Sequence, residues 1–330
     1  MVDDLFLQKL FAAEKPIVAR AISIVENQDE SSLELLETVH DRVGRAYRVG
    51  ITGPPGAGKS TIVSKVTRKL NDGYKKVGII AVDPTSPFTG GALLGDRVRM
   101  MDLSSRAGVF IRSMATRGSL GGLSGTTQQA ADVLDAAGYD FVLIETVGVG
   151  QSELEIVEAA DTTVVVLTPE SGDSIQAMKA GLMEIADLFV LNKADRPGVD
   201  QSFSAITTVL SLREPPNAAL CPRETPSGQS EFENVWHPFI VNSVASENRG
   251  IDEILKGIEK HRDYLRRTHL LQTRRKERIR RMIVELADRN LHDRCWTKER
   301  LSELDDKLEL VISHELSAYQ LAKEIVERPL

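Results

Sequence analysis

The sequence predicts an α/β fold in which helices flank a mostly parallel central sheet, with helical extensions at both ends. From residue 48 onward, short apolar runs rich in β-branched residues alternate with helical stretches. The runs are apolar almost throughout, as expected of strands that are buried on both faces of a parallel sheet. Seven strands are predicted, at Arg48–Thr52, Val77–Val82, Val109–Arg112, Phe141–Thr146, Thr163–Thr168, Leu188–Asn192 and Phe239–Asn242.

Both ends of the chain are predicted to be helical and to lie outside the sheet-forming domain. Leu10, Ile17 and Ala21 fall on one face at helical spacing, which predicts a helical cap packed on the main domain. Residues 256–281 carry eleven Lys or Arg and three Asp or Glu. That pattern is typical of a solvated helix face or of an arm that pairs with another subunit; a phosphate- or partner-binding helix is the alternative. The predicted domains are an N-terminal helical extension at 1–46, the main domain at 47–262 and a C-terminal helical arm at 263–330.

Composition and charge exclude several classes of protein. The 330 residues are 42% hydrophobic and 27% charged, so the chain can bury a sizeable core. A net charge of −7 does not suit a general nucleic-acid binder, which needs a basic surface. Cys221 and Cys295 stand alone, so neither a zinc site nor a disulfide framework is expected. No secretory or transit signal is recognisable and the apolar runs are only of strand length, so we expect a cytoplasmic protein without a membrane segment.

The residues after the first predicted strand match the phosphate-loop pattern G-x-x-x-x-G-K-[ST] and precede a helical stretch. Glycines let backbone N–H groups approach phosphates closely, and the start of the helix adds a favourable dipole. Lys59 is expected to meet the β- and γ-phosphates and Ser60 to ligate Mg²⁺. The sequence therefore predicts a P-loop NTPase. The predicted loop consists of Gly53, Pro54, Pro55, Gly56, Ala57, Gly58, Lys59, Ser60 and Thr61.

A second motif, Asn192-Lys193-Ala194-Asp195, ends a predicted strand and has the N-K-x-D pattern of GTP-binding proteins. The Asp195 carboxylate can accept hydrogen bonds from guanine N1–H and from its exocyclic amine. Adenine cannot supply this pair, so in a buried site the carboxylate would reject it strongly. Lys193 is expected to lie along the base, and Asn192 to brace the loop. After the last strand, a backbone N–H in Ser243-Val244-Ala245 could meet the guanine oxygen.

Acidic residues at strand ends predict a metal and switch region. Glu145 and Gly148 form an acid-x-x-Gly pattern of the kind that couples Mg²⁺ to the γ-phosphate in GTPases, although most of these have Asp in place of Glu. Asp83 could orient the attacking water, and Asp96 lies in a Gly-rich loop. The alternatives are a strand-ending acid at Glu145, a helix N-cap at Asp83 and a solvated loop acid at Asp96. Arg97, Arg99, Arg112 and Arg117 are available to neutralise phosphate charge.

Together these segments resemble the MeaB/ArgK family of P-loop GTPases, which includes the MMAA-type mitochondrial proteins. The matching blocks run in order over about residues 48–260, and Gly90–Met100 and Glu145–Glu153 are the most specific. The resemblance implies a GTPase chaperone that gates adenosylcobalamin loading and protects or reactivates a B12-dependent acyl-CoA mutase, chiefly methylmalonyl-CoA mutase. It also implies bound GTP or GDP with Mg²⁺, a homodimer paired through C-terminal helices, and an additional switch at Pro169–Lys179. Carried over by position, the resemblance makes Lys59, Asp83, Asp96 and Glu145 candidate catalytic residues and Ser60, Asp83, Asp96 and Glu145 candidate metal ligands. Ser243-Val244-Ala245 departs from the more usual Thr-Ser-Ala of the family.

Two other functions are compatible with a phosphate loop. A nickel-enzyme maturation GTPase would need Cys or His ligands near the switches, whereas the two cysteines and six histidines are scattered. A P-loop kinase would need an acceptor pocket and would leave Asn192–Asp195 without a role. We therefore expect a GTPase whose output is a conformational change delivered to a partner enzyme.

Overall fold

The computed structural model describes residues 2–84, 100–116, 125–146, 152–169, 181–212 and 235–327. The chain divides into two compact units, Met1–Gln272 and Thr273–Leu330. The domain boundaries predicted after residues 46 and 262 stay predictions. The N-terminal helices belong to the same compact unit as the sheet.

Seven strands form a single sheet in the order β3-β2-β4-β1-β5-β6-β7, and every neighbouring pair is parallel. The seven predicted strands and the parallel sheet are confirmed. β1 lies in the centre, between β4 and β5, and all six of its residues are buried. The strands are β1 Tyr47–Thr52, β2 Val77–Pro84, β3 Val109–Thr116, β4 Phe141–Thr146, β5 Thr162–Leu167, β6 Leu188–Asn192 and β7 Phe239–Ser243.

Helices flank this sheet and extend the chain at both ends, as the sequence predicts. Short 3₁₀ turns at His40–Arg42 and Ala245–Glu247 complete the described secondary structure. The α-helices are α1 Asp4–Phe11, α2 Lys15–Asn27, α3 Ser32–Val39, α4 Lys59–Asp72, α5 Met101–Ser104, α6 Gly125–Ala136, α7 Ser152–Ala159, α8 Leu182–Ile185, α9 Val199–Leu212, α10 Ile251–Arg267, α11 Leu270–Cys295, α12 Lys298–Ile312 and α13 Ala318–Glu327.

The core lies on both faces of the sheet because successive side chains of each strand point to opposite sides. One face packs against α1, α2, α3 and α6, with Leu10, Ile22 and Leu134 fully buried among strand side chains. The other face packs against α4 and α10, where Ile62 and Ile258 lie in the cluster. The near-continuous apolar strands of the sequence follow from this two-sided burial.

A buried carboxylate fixes the chain where it enters β1. Asp135, at the end of α6, accepts hydrogen bonds from the backbone N–H groups of Gly44, Arg45 and Ala46 at 2.7, 3.1 and 2.9 Å. Its side chain is 1% exposed, and one of its oxygens lies 3.9 Å from Arg48 Nη2. Because the N-terminal helices precede this segment directly, Asp135 ties them to the sheet.

Arg48 is buried in β1 and is surrounded by acids. Burial lowers the pKa of its guanidinium, but the nearby carboxylates of Asp132, Asp161 and Asp135 outweigh burial and raise the pKa above its ordinary value. Asp132 pairs directly with Arg48 Nη2, and Asp161 accepts the Arg48 backbone N–H at 3.0 Å. The buried positive charge of Arg48 is therefore stabilised by these carboxylates rather than by water.

The second unit consists of helices alone in its described part. α12 and α13 contact each other, and Lys307 of α12 pairs with Glu303 and with Glu324 of α13, each at 3.1 Å. No residue of α11 is buried. Across the described ranges, every helix is too short or too polar to cross a bilayer.

We expect Asp135→Ala to lower the free energy of unfolding by about 3 kcal/mol, because it removes one partner of a buried network and leaves three backbone donors unsatisfied. The melting temperature should fall by roughly 5–10 °C in a thermal denaturation experiment. Asp72→Ala is the control: Asp72 pairs with Arg106 but its side chain is 57% exposed, so the loss should stay below about 1 kcal/mol. Equal melting temperatures for the two variants would contradict the assigned role of Asp135.

Candidate functional site

The predicted phosphate loop connects β1 to α4 at the carboxyl edge of the sheet. Its conformation depends on glycine at two positions. Gly53 has a φ of +135°, and a Cβ there would lie 2.1 Å from the carbonyl oxygen of Val166 in β5. Gly58 has a φ of +92°, and a Cβ there would lie 2.3 Å from Asn192 Nδ2. A side chain at either position would push the loop away from the two strands that hold it.

The lysine of the loop lies at the first residue of α4 and is 6% exposed. Its Nζ donates to the carbonyl oxygens of Gly53 and Pro54 at 2.8 and 3.0 Å, which holds the ammonium over the loop. Because α4 begins here, the backbone N–H groups of its first turn and the positive end of its dipole point toward the phosphate loop. Lysine and helix start together make this an anion-binding position.

Ser60 and Glu145 lie side by side although 85 residues separate them. Ser60 Oγ donates to Glu145 Oε1 at 2.6 Å, and Glu145 is 3% exposed at the end of β4. Next to them, Thr146 Oγ1 donates to Thr52 Oγ1 at 2.9 Å, which joins the ends of β4 and β1. Sequence reasoning missed this threonine pair; the only signal for it was a threonine at the end of each predicted strand. Ser60 Oγ and Glu145 Oε1 are oxygen atoms of the kind that binds hard cations, and they lie together beside the phosphate loop.

Asn192 connects the phosphate loop to the loops after β6 and β7. Its Nδ2 donates to the Ala57 carbonyl oxygen at 2.8 Å. Its Oδ1 accepts from Ser243 Oγ and from the Ala245 backbone N–H, each at 3.1 Å. The side chain is buried, so all three bonds form out of water. The bracing role predicted for Asn192 is therefore seen in its contacts.

The other residues of the predicted base-reading motif follow directly. Lys193 is half-buried and adopts a left-handed backbone conformation with a φ of +57°, while the Ala194 N–H donates to the Ser243 carbonyl oxygen at 3.0 Å. Asp195 is exposed on the protein surface, and the expectation that its carboxylate is buried against guanine stays a prediction. The backbone N–H groups of Val244 and Ala245 are both engaged within the protein, by Arg249 O at 3.1 Å and by Asn192 Oδ1.

Several predicted site residues lie outside what the structure describes. Asp96 and Gly148 fall outside the described residues, as do Arg97, Arg99, Arg117 and nearly all of the predicted switch at Pro169–Lys179. Asp83 is described only as a backbone position near the end of β2. Arg112 was a candidate for phosphate, but it pairs with Glu26 and donates to Ser23 Oγ at 3.0 Å on α2. It holds the N-terminal cap to β3, so that suggestion is wrong.

The donor chemistry of the described site suits a hard divalent cation. Ser60 Oγ and Glu145 Oε1 are oxygen ligands, which Mg²⁺ prefers in proteins. Within the described ranges, no three His, Cys, Asp or Glu side chains are grouped as a metal site. An ion at Ser60 and Glu145 would therefore need phosphate oxygens or water to complete its coordination, as is usual for Mg²⁺ beside a nucleotide.

Comparison with known proteins places these motifs in one family. A family model described as methylmalonyl Co-A mutase-associated GTPase MeaB matches residues 18–300. A Pyrococcus abyssi protein named as a GTPase is 42% identical over 327 residues, covering 99% of this chain and 96% of the relative. GTPase ArgK of Escherichia coli is 38% identical over 256 residues, covering 76% and 73%.

A solved structure supports the fold. The crystal structure titled LAO/AO transport system kinase superposes with a TM-score of 0.69 and 26% sequence identity, covering 99% of this chain and 98% of that one. The seven-stranded parallel sheet with its phosphate loop after the central strand is thus the α/β fold of a P-loop NTPase, as predicted from the sequence.

We expect Asn192→Ala to weaken GDP binding about 100-fold, because it loses one hydrogen bond to the phosphate loop and two to the segment after β7. Ser243→Ala is the matched control, since it removes only one of the three and should weaken binding less than tenfold. Titration of each variant with a fluorescent GDP analogue measures the effect. Wild-type affinity in Asn192→Ala would show that the connection between the loops does not contribute to nucleotide binding.

Proposed function

The chain belongs to the MeaB family of methylmalonyl-CoA mutase-associated GTPases and is a GTP hydrolase, and from that premise we propose that its GTP cycle serves a B12-dependent acyl-CoA mutase. The proposed task is to gate adenosylcobalamin loading and to protect or reactivate the mutase. The partner is taken from the family name, which describes association with methylmalonyl-CoA mutase. The local arrangement supports the nucleotide half of the proposal.

One observation carries the nucleotide assignment. Asn192 bonds at once to the phosphate loop through Ala57 O and to the segment after β7 through Ser243 and Ala245. The predicted phosphate and base sites are therefore neighbours at one edge of the sheet, where ligands of open parallel sheets bind. In our proposal the loop Gly53–Thr61 holds the phosphates and Asp195 accepts from guanine. Exposed Asp195 would be covered by the base itself.

Mg²⁺ is the proposed cofactor, held between the nucleotide and the protein. Ser60 is the direct ligand in this proposal, and Glu145, which accepts its hydroxyl at 2.6 Å, orients it or binds a metal-bound water. Mg²⁺ would neutralise charge on the β- and γ-phosphates during transfer to water. Asp83 and Asp96 are also proposed to contribute to the metal site. Gly148 is a proposed contact of the γ-phosphate, and Lys59 is a proposed phosphate ligand.

Removal of divalent ions with EDTA should abolish GTP turnover.

The proposed output is a change at the switch that begins at Glu145. This residue is tied to Ser60, so loss of the γ-phosphate and displacement of the metal would release the end of β4. A partner that binds one state better shifts the balance between them, which couples hydrolysis to the mutase. Within the described residues, the geometry provides no observation in favour of the nickel or kinase alternatives.

A homodimer is also proposed, paired through the C-terminal helices. On α11, Ile279, Ile283 and Leu286 recur at helical spacing and are 50%, 57% and 37% exposed. A row of large apolar side chains in water is unfavourable, and burial against a second copy would stabilise it by about 25 cal/mol per Å². This arm was predicted at residues 263–330.

The central experiment measures turnover of GTP and of ATP by the purified protein, with and without a B12-dependent acyl-CoA mutase from the same cell. GTP-selective turnover that rises with the mutase is the expected result. GTP turnover that no such mutase alters would overturn the chaperone proposal and leave the GTPase. Preference for ATP would overturn the assignment of Asp195 to guanine.

Asp195→Asn should exchange base selectivity. An amide in place of the carboxylate can donate a hydrogen bond, so it suits the C2 oxygen of xanthine and opposes the C2 amine of guanine. We expect GTP affinity to fall about 100-fold or more and XTP affinity to rise above it, measured by competition against labelled nucleotide. Asp200→Asn, an exposed acid at the start of α9, is the control and should leave both affinities unchanged. Unaltered GTP preference in Asp195→Asn would place the base elsewhere.

Ile283→Asp should convert the proposed dimer to a monomer, because it puts a charge into the apolar row of α11. Sedimentation velocity at micromolar concentration measures the change. Asp288→Lys changes the charge of an exposed residue on the opposite side of the same helix; it is the control and should remain dimeric. A wild-type chain that sediments as a monomer would contradict the proposal directly.

A further inference from the structure

A second candidate binding site lies at the amino edge of the sheet. A cavity of about 520 Å³ opens there between the starts of β1 and β4, the ends of α4 and α6, and α10. This volume is within the range of pockets that hold small molecules, ~300–1,000 Å³. β1 runs from Tyr47 in this cavity to the phosphate loop, so the two sites are separated by roughly 17 Å of strand. The cavity is therefore distinct from the proposed GTP site.

The cavity is positively charged in an acidic protein. Three carboxylates line it, but two of them are engaged. Asp135 accepts three backbone N–H groups, and Asp140 accepts the Lys76 N–H at 2.8 Å while lying 3.6 Å from Lys75 Nζ. The net charge of the whole chain is −7, whereas the lining of this cavity carries an excess of two positive charges. The cations that line the cavity are Arg42, Arg45, Lys75, Arg262 and Arg266.

These arginines present donors that the described part of the chain does not use. Neither Arg45 nor Arg266 has an ion-pair partner among the described residues. Arg262 Nε is buried and donates no hydrogen bond; Asp263 Oδ1, at 3.6 Å, is too far. Two of the guanidinium groups lie over aromatic rings. The guanidinium carbon of Arg42 is 3.8 Å from the Phe11 ring centroid, and that of Arg262 is 5.8 Å from the Phe141 ring centroid.

We propose that this cavity binds a small molecule that carries a diphosphate, with a nucleoside diphosphate as the favoured form. Planar guanidinium groups match phosphoryl oxygens in pairs, and several of them around one cavity fit more than one phosphoryl group. The excess of two positive charges is balanced by the two or three negative charges of a diphosphate. The aromatic walls and the volume leave room for an attached ring system, which inorganic pyrophosphate lacks.

The test is calorimetric titration of the full chain, saturated with Mg²⁺ and a non-hydrolysable GTP analogue so that the phosphate loop is occupied. ADP should bind once per chain and adenosine should not bind. Pyrophosphate binding weaker than ADP supports the nucleotide, and pyrophosphate binding as tightly as ADP assigns the site to the free diphosphate. Absence of binding by both ADP and pyrophosphate, or adenosine binding as tightly as ADP, overturns the proposal.

Variants locate the binding. Arg45→Gln and Arg266→Gln are each expected to weaken ADP binding about tenfold, since each removes a charge-assisted contact. Arg20→Gln and Arg68→Gln, which remove exposed arginines outside the cavity, are the matched controls and should leave ADP affinity unchanged. All four variants should keep wild-type GTP turnover. This measurement verifies that they fold and tests the GTPase site independently of ADP binding. ADP binding that survives in Arg45→Gln with Arg266→Gln combined would overturn the assignment to this cavity.

Discussion

The parallel pairing of β1 with β4 and β5 is the constraint on which the candidate site depends. It brings the ends of three strands to one edge, and the phosphate loop leaves from the middle one. Gly53 lies against the Val166 carbonyl of β5, and Thr52 bonds to Thr146 of β4. The loop is therefore held from both sides before any ligand is considered. β1 is buried along its whole length, so these contacts are tied to the core of the molecule.

Burial strengthens the polar contacts at this edge. Asn192, Ser243 and Glu145 are all nearly inaccessible to water. In the protein interior a hydrogen bond is electrostatically stronger than in water, and an unpaired polar group is costly. Ser243 bonds to Asn192 and Ser60 bonds to Glu145, so a change in one of these groups affects the loops on either side. Such coupling is what a protein needs if hydrolysis at one loop is to be sensed by another.

The two edges of the same sheet carry different chemistry. At the carboxyl edge, a helix start, a lysine and oxygen ligands surround the predicted phosphate position. At the amino edge, arginines supported by aromatic rings surround a separate cavity. Because β1 and β4 contribute residues to both edges, these two fully buried strands connect the phosphate loop with the cavity. The N-terminal cap is attached near the amino edge through Asp135.

The sequence by itself determined the class of fold, all seven strands and the phosphate loop, and it predicted the base-reading motif, because these depend on local periodicity and on residues close together in the chain. Only the tertiary structure decided which distant residues meet. It joined Ser60 to Glu145 and Asn192 to Ala57, diverted Arg112 from phosphate to Glu26, left Asp195 exposed and gathered arginines from separate elements at the amino edge. Such distances are set by strand order and helix packing, and no pattern within a short stretch of sequence encodes them.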